Sequence, residues 1–321
     1  MVPSFVNFAR QHVALRWGLI IVVAWTLIAL LAPVISPYSP TQPHPGEILL
    51  PPSAKYWFGT DKDGFDVFSR VIWAPRTDLG IAVTSTALSV LIGIPLGALA
   101  GYFGGRGGLL GLGSEWFMRA VDVSRAFPVF VFALVLVGVL GTSIPNVIIA
   151  LTFANAPVFI WLTRSEVLSV REKPFVEAAR CSGNSELQIA FLHVLPNSLA
   201  SPLTQLSIVL GFSILLTAGL SFLGAGVRVP TPEWGLMVAR GASTMIIGKW
   251  WTALFPGLAL GIAVFGFALV GDGLRIYLDP RQRRQIEKSF QSDIENAPAD
   301  VQPVATVADE VEASNRSRDV A

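Results

Sequence analysis

The chain has 321 residues, of which 52% are hydrophobic and 14% charged, with a mean hydropathy of +0.59 and a net charge of +1. Soluble domains carry about 25% charged residues, so a water-soluble globule is excluded, and the near-neutral charge implies no nucleic-acid or acidic-substrate partner. The single cysteine, Cys181, rules out an internal disulfide or a cysteine metal cluster.

In chain order, residues 1–16 form a short N-terminal segment carrying Arg10 and Arg16. Six apolar stretches follow, at residues 17–35, 79–103, 125–140, 144–163, 199–224 and 252–271. Each suits a crossing of about 30 Å of hydrocarbon at about 1.5 Å per residue. Helix is the reading for all six, because an open strand leaves backbone groups unsatisfied in lipid. The first resembles a signal peptide, but its apolar run is long. Pro33 also follows Ala32, the one plausible small-residue cleavage point, so the segment is read as a retained span. The expected fold class is all-α, a polytopic membrane protein with six transmembrane helices and no internal repeat.

Lys and Arg in the connecting segments set the orientation. With the N-terminus inside, the inner segments hold thirteen basic residues and the outer ones seven, over similar lengths. Both termini are therefore expected on the cytoplasmic side. The outer segment 36–78 is rich in proline, followed by Tyr56, Trp57 and Phe58, and is expected to pack as an extended, partly ordered cap. Its Asp61, Asp63 and Asp66 read as turn-forming or salt-bridging residues ahead of a cation site. The glycine-rich stretch 104–108 reads as a flexible cytoplasmic turn. The tail 286–321 has eight acidic residues against three basic ones and few large apolar ones, the composition of a disordered segment.

Gly93, Gly97 and Gly101 recur every four residues, as do Gly257 and Gly261. Glycines so spaced share a helix face and admit a neighbouring backbone closely, which predicts tight packing within one bundle. Charged residues inside the spans are nearly absent; Asp122, Arg125 and Asp272 fall near predicted ends. Asn155 and Gln205 are the candidates to line a pathway, with an interhelical hydrogen bond the competing use of Asn155. Gradient-driven carriers need buried ionisable groups or broken-helix ion sites, so coupling energy is expected from elsewhere.

The inner segment 164–196 lies within a five-span core, residues 79–285. From Pro174 it is helix-compatible, with proline at a first helical position. Gly183 and Asn184 suit a left-handed turn. Ser185 can cap a second helix through His193, limited by Pro196. Glu177-Ala178-Ala179, Gly183 and Pro196, in a long loop before the penultimate span, resemble the E-A-A loop of binding-protein-dependent ATP-driven importers. Phe58-Gly59-Thr60-Asp61 with Gly64, Asp66, Ser69 and Arg70 is similar to a segment of the C-type permease subunit of the dipeptide, oligopeptide and nickel family. So are Gly101-Tyr102 with Gly104-Gly105, Met118-Arg119 with Asp122, and residues 219–224. Trp234-Gly235, Phe255-Pro256-Gly257 and residues 271–275 with Asp279-Pro280 complete the set. The likeness spans residues 9–284. Phe65, Ala74-Pro75 and Ile276-Tyr277 depart from the pattern.

The resemblance implies a type I ABC importer transmembrane fold in a prokaryotic cytoplasmic (inner) membrane. It implies a non-catalytic permease subunit that builds the pathway with a paralogous subunit. An external solute-binding protein would deliver a peptide, nickel, glutathione or a sugar. Two ATP-binding subunits, which hold the ATP and Mg2+, would dock on the E-A-A loop. The chain itself has no G-x-x-x-x-G-K-[ST] phosphate loop and no H-E-x-x-H pattern, so no catalytic, cofactor or metal site is expected in it. The alternative reading is an ion-gradient-driven secondary transporter.

Overall fold

The computed structural model describes residues 12–278. The N-terminal residues 1–11, the acidic tail and Asp279-Pro280 lie outside the described residues. Residues up to Arg275 belong to one compact unit. Its regular elements are helical, with one isolated antiparallel bridge, Thr60 to Asp66, among the described residues.

Helix α1 is Val13–Ile35, α2 Val67–Phe103, α3 Leu109–Ala126, α4 Val129–Leu140 and α5 Ile144–Val170. The short α6, Pro174–Cys181, and α7, Glu186–Gln188, precede α8, Ala200–Phe222. Helix α9 is Trp234–Met245 and α10 Trp251–Leu278. Five of these (α1, α2, α5, α8 and α10) are long and apolar enough to cross a membrane; α3 and α4 make a sixth if the bent pair counts as one.

The third span differs from its sequence reading. The helix does not run through residues 125–140: it breaks at Phe127-Pro128, and the two halves meet at 95°. Proline at the break removes an N–H and disfavours helical geometry at Phe127 before it. Helix α4 has 12 residues, about 18 Å of rise, too short to cross alone.

Helix α2 begins twelve residues before the predicted span. Asp66 caps it, accepting from Ser69 N at 2.8 Å and Ser69 Oγ at 2.5 Å. Its 37 residues rise about 55 Å, so its first turns lie under the cap. There Asp78, placed in a loop by the sequence reading, is buried. It accepts from Trp234 N at 3.2 Å. Neighbouring Glu233, also buried, caps α9 through Gly235 N at 2.8 Å and Leu236 N at 2.6 Å.

The cap is tied down along its length. Backbone bonds join His44 to Gly64, Leu49 to Asp61 and Thr60 to Leu50. Buried Arg70 donates to the carbonyls of Pro40 and Pro230 at 3.1 Å each and of Thr231 at 3.4 Å. Trp251 Nε1 donates to Thr60 O at 3.2 Å. The three aspartates have separate structural jobs. Asp61 closes a turn onto Asp63 N and Phe65 N, Asp63 pairs with Arg240, and Asp66 caps α2.

The α2 glycines seat α5. A β-carbon would lie 2.7 Å from Phe159 Cβ at Gly93, 2.5 Å from Ile160 O at Gly97 and 2.8 Å from Val167 Cγ1 at Gly101. The expectation for the last span fails within this chain. Among the described residues Gly261 has nothing within 4 Å and Gly257 meets only Val238 at 3.7 Å, because that face of α10 turns away from the bundle. The close contacts of α10 fall instead at Gly266, against Ile21, and Gly273, against Leu15, both on α1, and at Gly271, against Ile208 of α8.

Candidate functional site: the helical hairpin at the end of α5

Helix α6 starts with Pro174 at its first position, and its amphipathic pattern turns Val176 and Ala179 inward. The chain leaves it at Ser182 and turns at Gly183, whose φ is +82°, a conformation glycine adopts freely. Asn184 Nδ2 donates to Ala179 O at 2.9 Å, satisfying a carbonyl at the helix end. Ser185 then forms a reciprocal capping box with Gln188.

The second arm is less regular than the predicted helix. Three α-helical residues give way to a wider π turn, Ile189–Val194, and a tighter 3₁₀ turn, Leu195–Ser198, holding Pro196. Proline has no N–H and crowds the carbonyl four residues back, so regular α geometry does not continue there.

The hairpin is bolted to the spans on its inner side. Val176, Ala179, Ile189, Ala190 and Val194 form one buried cluster with Ala98 and Tyr102 of α2 and Val167 and Val170 of α5. The two alanines therefore part company: Ala179 lies in this core, whereas Ala178 faces out beside Glu177. Glu177 is paired with Arg180 at 2.8 Å. Phe175, Leu187 and Leu192 are also exposed on the hairpin.

Sequence reasoning missed the polar hub behind the hairpin. Glu186 accepts from Tyr102 Oη and Arg106 Nη1, both at 2.5 Å, and from Arg180 Nε at 3.2 Å. Tyr102 and Arg106 hold its carboxyl down at about 2. Arg171 donates to the carbonyls of Gly101 at 2.8 Å and Gly104 at 2.6 Å, tying the end of α5 to the end of α2. Arg106 thus fixes the glycine-rich turn to the hairpin. The signal was a cluster of opposite charges at the span ends, which spacing alone could not pair. A polar recess of about 520 Å³ opens beside α6, lined by residues that include Arg171, Lys173, Glu177 and Arg180.

The pathway candidates lie elsewhere. Asn155 is buried and donates to Ser213 Oγ at 3.0 Å, an interhelical bond between α5 and α8. Gln205 is half-buried on α8.

The chain matches the family described as binding-protein-dependent transport system inner membrane component over residues 93–284. This chain belongs to that family. Residues 6–52 of this transport component also match the N-terminal transmembrane domain of oligopeptide transport permease C. The dipeptide transport system permease protein DppC of Alkalihalophilus pseudofirmus is 39% identical, over 83% of this chain and 85% of the relative. The di/tripeptide transport system permease protein DppC of Pseudomonas aeruginosa is 37% identical, over 86% and 90%. The glutathione transport system permease protein GsiD of Pectobacterium atrosepticum is 37% identical, over 86% and 89%. A solved inward-facing MetNI methionine ABC transporter superposes on the permease with a TM-score of 0.51 at 19% identity. That match covers 66% of this chain and 96% of the other, and shows the shared type I importer fold. The protein is a multi-pass membrane permease subunit of a transport system.

Proposed function

We propose that this permease subunit imports short peptides across a prokaryotic cytoplasmic membrane at the expense of ATP bound and hydrolysed, with Mg2+, by separate subunits. It forms the pathway with a paralogous permease, receives substrate from an external binding protein, and keeps both termini in the cytoplasm. The peptide assignment is supported by relatives named for dipeptide and di/tripeptide transport. The glutathione relative is of the same chemical class, a short peptide.

The observation that carries the coupling role is the two-sided hairpin. Its inner side is locked to α2 and α5 by a continuous apolar cluster and by the Glu186 hub. Its outer side presents Glu177 and Ala178 with Gly183 at the bend. A small residue allows close approach, and a carboxylate accepts charge-assisted hydrogen bonds. A rigid element docked this way transmits an ATPase's closure to the spans as a rigid-body movement.

Co-purification tests the reading. Tagged wild-type permease should retain both ATPase subunits after extraction, and the double variant Glu177→Lys, Gly183→Val should lose most of them. Equal retention by the variant overturns the hairpin's role.

A further inference from the structure

Two buried carboxyl groups meet where α9 starts against α2. Asp78 of α2 is 1% exposed, and Glu233, the residue before α9, is fully buried. Three consecutive backbone N–H groups at the start of α9 divide between them. Trp234 N donates to Asp78 Oδ2 at 3.2 Å. Gly235 N and Leu236 N donate to Glu233 Oε1 at 2.8 Å and Oε2 at 2.6 Å. The two side chains thus sit over one helix end, in hydrogen-bonding contact with each other.

The described residues packed around the pair bring donors and no positive charge. From α8, the Ser221 hydroxyl donates to Glu233 while its oxygen accepts from Val227 N at 3.1 Å. From α1, Trp25 packs edge-on against Trp234, whose Nε1 donates to Val71 O of α2 at 3.1 Å. The nearby basic side chains are engaged elsewhere. Arg70 holds the carbonyls of Pro40, Pro230 and Thr231, Arg76 lies over the Trp73 ring, and Arg240 pairs with Asp63. Asp78 Oδ1 is buried and receives no hydrogen bond from a described residue. Two ionised carboxylates in contact, out of water and without a cation, repel strongly enough that one keeps its proton.

We propose that Asp78 is a protonated carboxylic acid and Glu233 its carboxylate acceptor, so that one bound proton latches α9 to α2. The hydrogen bonds decide which group holds the proton. Both oxygens of Glu233 accept backbone N–H groups and a third bond comes from Ser221. A carboxylate has about four acceptor sites, so one is left for the Asp78 hydrogen, and a helix start favours the negative charge. Asp78 accepts at one oxygen only, as the C=O of an acid does, and its other oxygen is free to carry the O–H. The latch sits at the root of a strut. Helix α9 reaches the cap through Arg240 and Asp63, presses Gly235 on Ala218 of α8, and bonds Thr244 Oγ1 to Thr252 Oγ1 of α10 at 2.7 Å. Loss of the proton sets like charges against each other at that root.

Isotope-edited infrared spectroscopy of the assembled transporter in lipid nanodiscs tests the proton. The difference between wild type and Asp78→Asn at neutral pH should contain the C=O stretch of a protonated carboxylic acid. That band should move to lower frequency when aspartate side-chain carboxyls carry heavy carbon. A difference spectrum without an acid band, or a band that moves with glutamate labelling in place of aspartate labelling, overturns the assignment.

Melting of the same assembly tests the latch. Asparagine mimics the protonated acid, donating through its amide nitrogen and accepting through its oxygen, so Asp78→Asn should melt within about 2 °C of wild type. Asp78→Leu removes the donor and strands Trp234 N. Glu233→Gln turns an NH2 group toward the N–H groups of α9. Each should melt at least about 4 °C lower, because a buried donor is left unsatisfied. Asp78→Asn that fails to assemble or is as unstable as Asp78→Leu overturns the latch, as does Glu233→Gln that melts with wild type.

Discussion

At Gly183 no described residue lies within 4 Å of the place a β-carbon would occupy, yet φ is +82°. The constraint is backbone conformation and not space. A β-branched side chain there costs about 1–2 kcal/mol, while asparagine tolerates the left-handed region. Gly183→Asn should therefore melt close to wild type and keep its ATPase partners, and Gly183→Val should lose both; equal melting would show that the turn is not needed. Glu186 gives a second prediction at this scale. Its carboxyl is held at about 2, against an ordinary 4.5. A lowered value in the folded protein means stability present above 4.5 and lost as pH falls from there through 2. Glu186→Gln should cost on the order of 1 kcal/mol at neutral pH, discounted because the site is partly exposed. Its melting deficit should narrow as pH drops through that window. The hairpin residues were readable from spacing because helix starts, glycine turns and caps are local. The hub was not, since Tyr102, Arg106 and Glu186 come together only when α2 and the hairpin pack.

Among the elements, the α2–α5 seam is where packing was legible and the α10 face is where it was not. Both have glycines four apart, but whether such a face meets a neighbour depends on how the bundle closes. Gly97→Leu should drive a side chain into the Ile160 carbonyl and destabilise by about 1–3 kcal/mol. Gly261→Leu, at a position with no described residue within 4 Å, should leave the isolated subunit's melting unchanged. Comparable losses from the two would mean that the seam is not tight. The elbow between α3 and α4 escaped the sequence reading for a different reason. Hydropathy averages over a window, and Pro128 breaks the helix inside an apolar run without changing that average. Helix α9 likewise hid in a presumed loop, because its cap is a buried glutamate, Glu233, outside the usual Ser, Thr, Asp or Asn signature.

Across the whole molecule, a tied-down cap and a rigid hairpin sit at opposite ends of α2. Arg70 is the cap's main fastening, with three carbonyl acceptors from two distant segments. Hydrogen bonds to a charged group contribute about 1.5–3 kcal/mol, so Arg70→Met should loosen the cap by at least that. Proteolysis within residues 40–60 should accelerate in the variant, and an unchanged digestion rate would show that the backbone bonds of the cap suffice. The proposed coupling requires force to enter at the hairpin and not from an ion gradient. The direct test is dialanine uptake by proteoliposomes of the complete transporter, with ionophores collapsing all gradients. ATP should then drive accumulation in the wild type and fail to do so with Glu177→Lys, Gly183→Val. Uptake that vanishes with the gradients, or persists without the ATPase subunits, would contradict it.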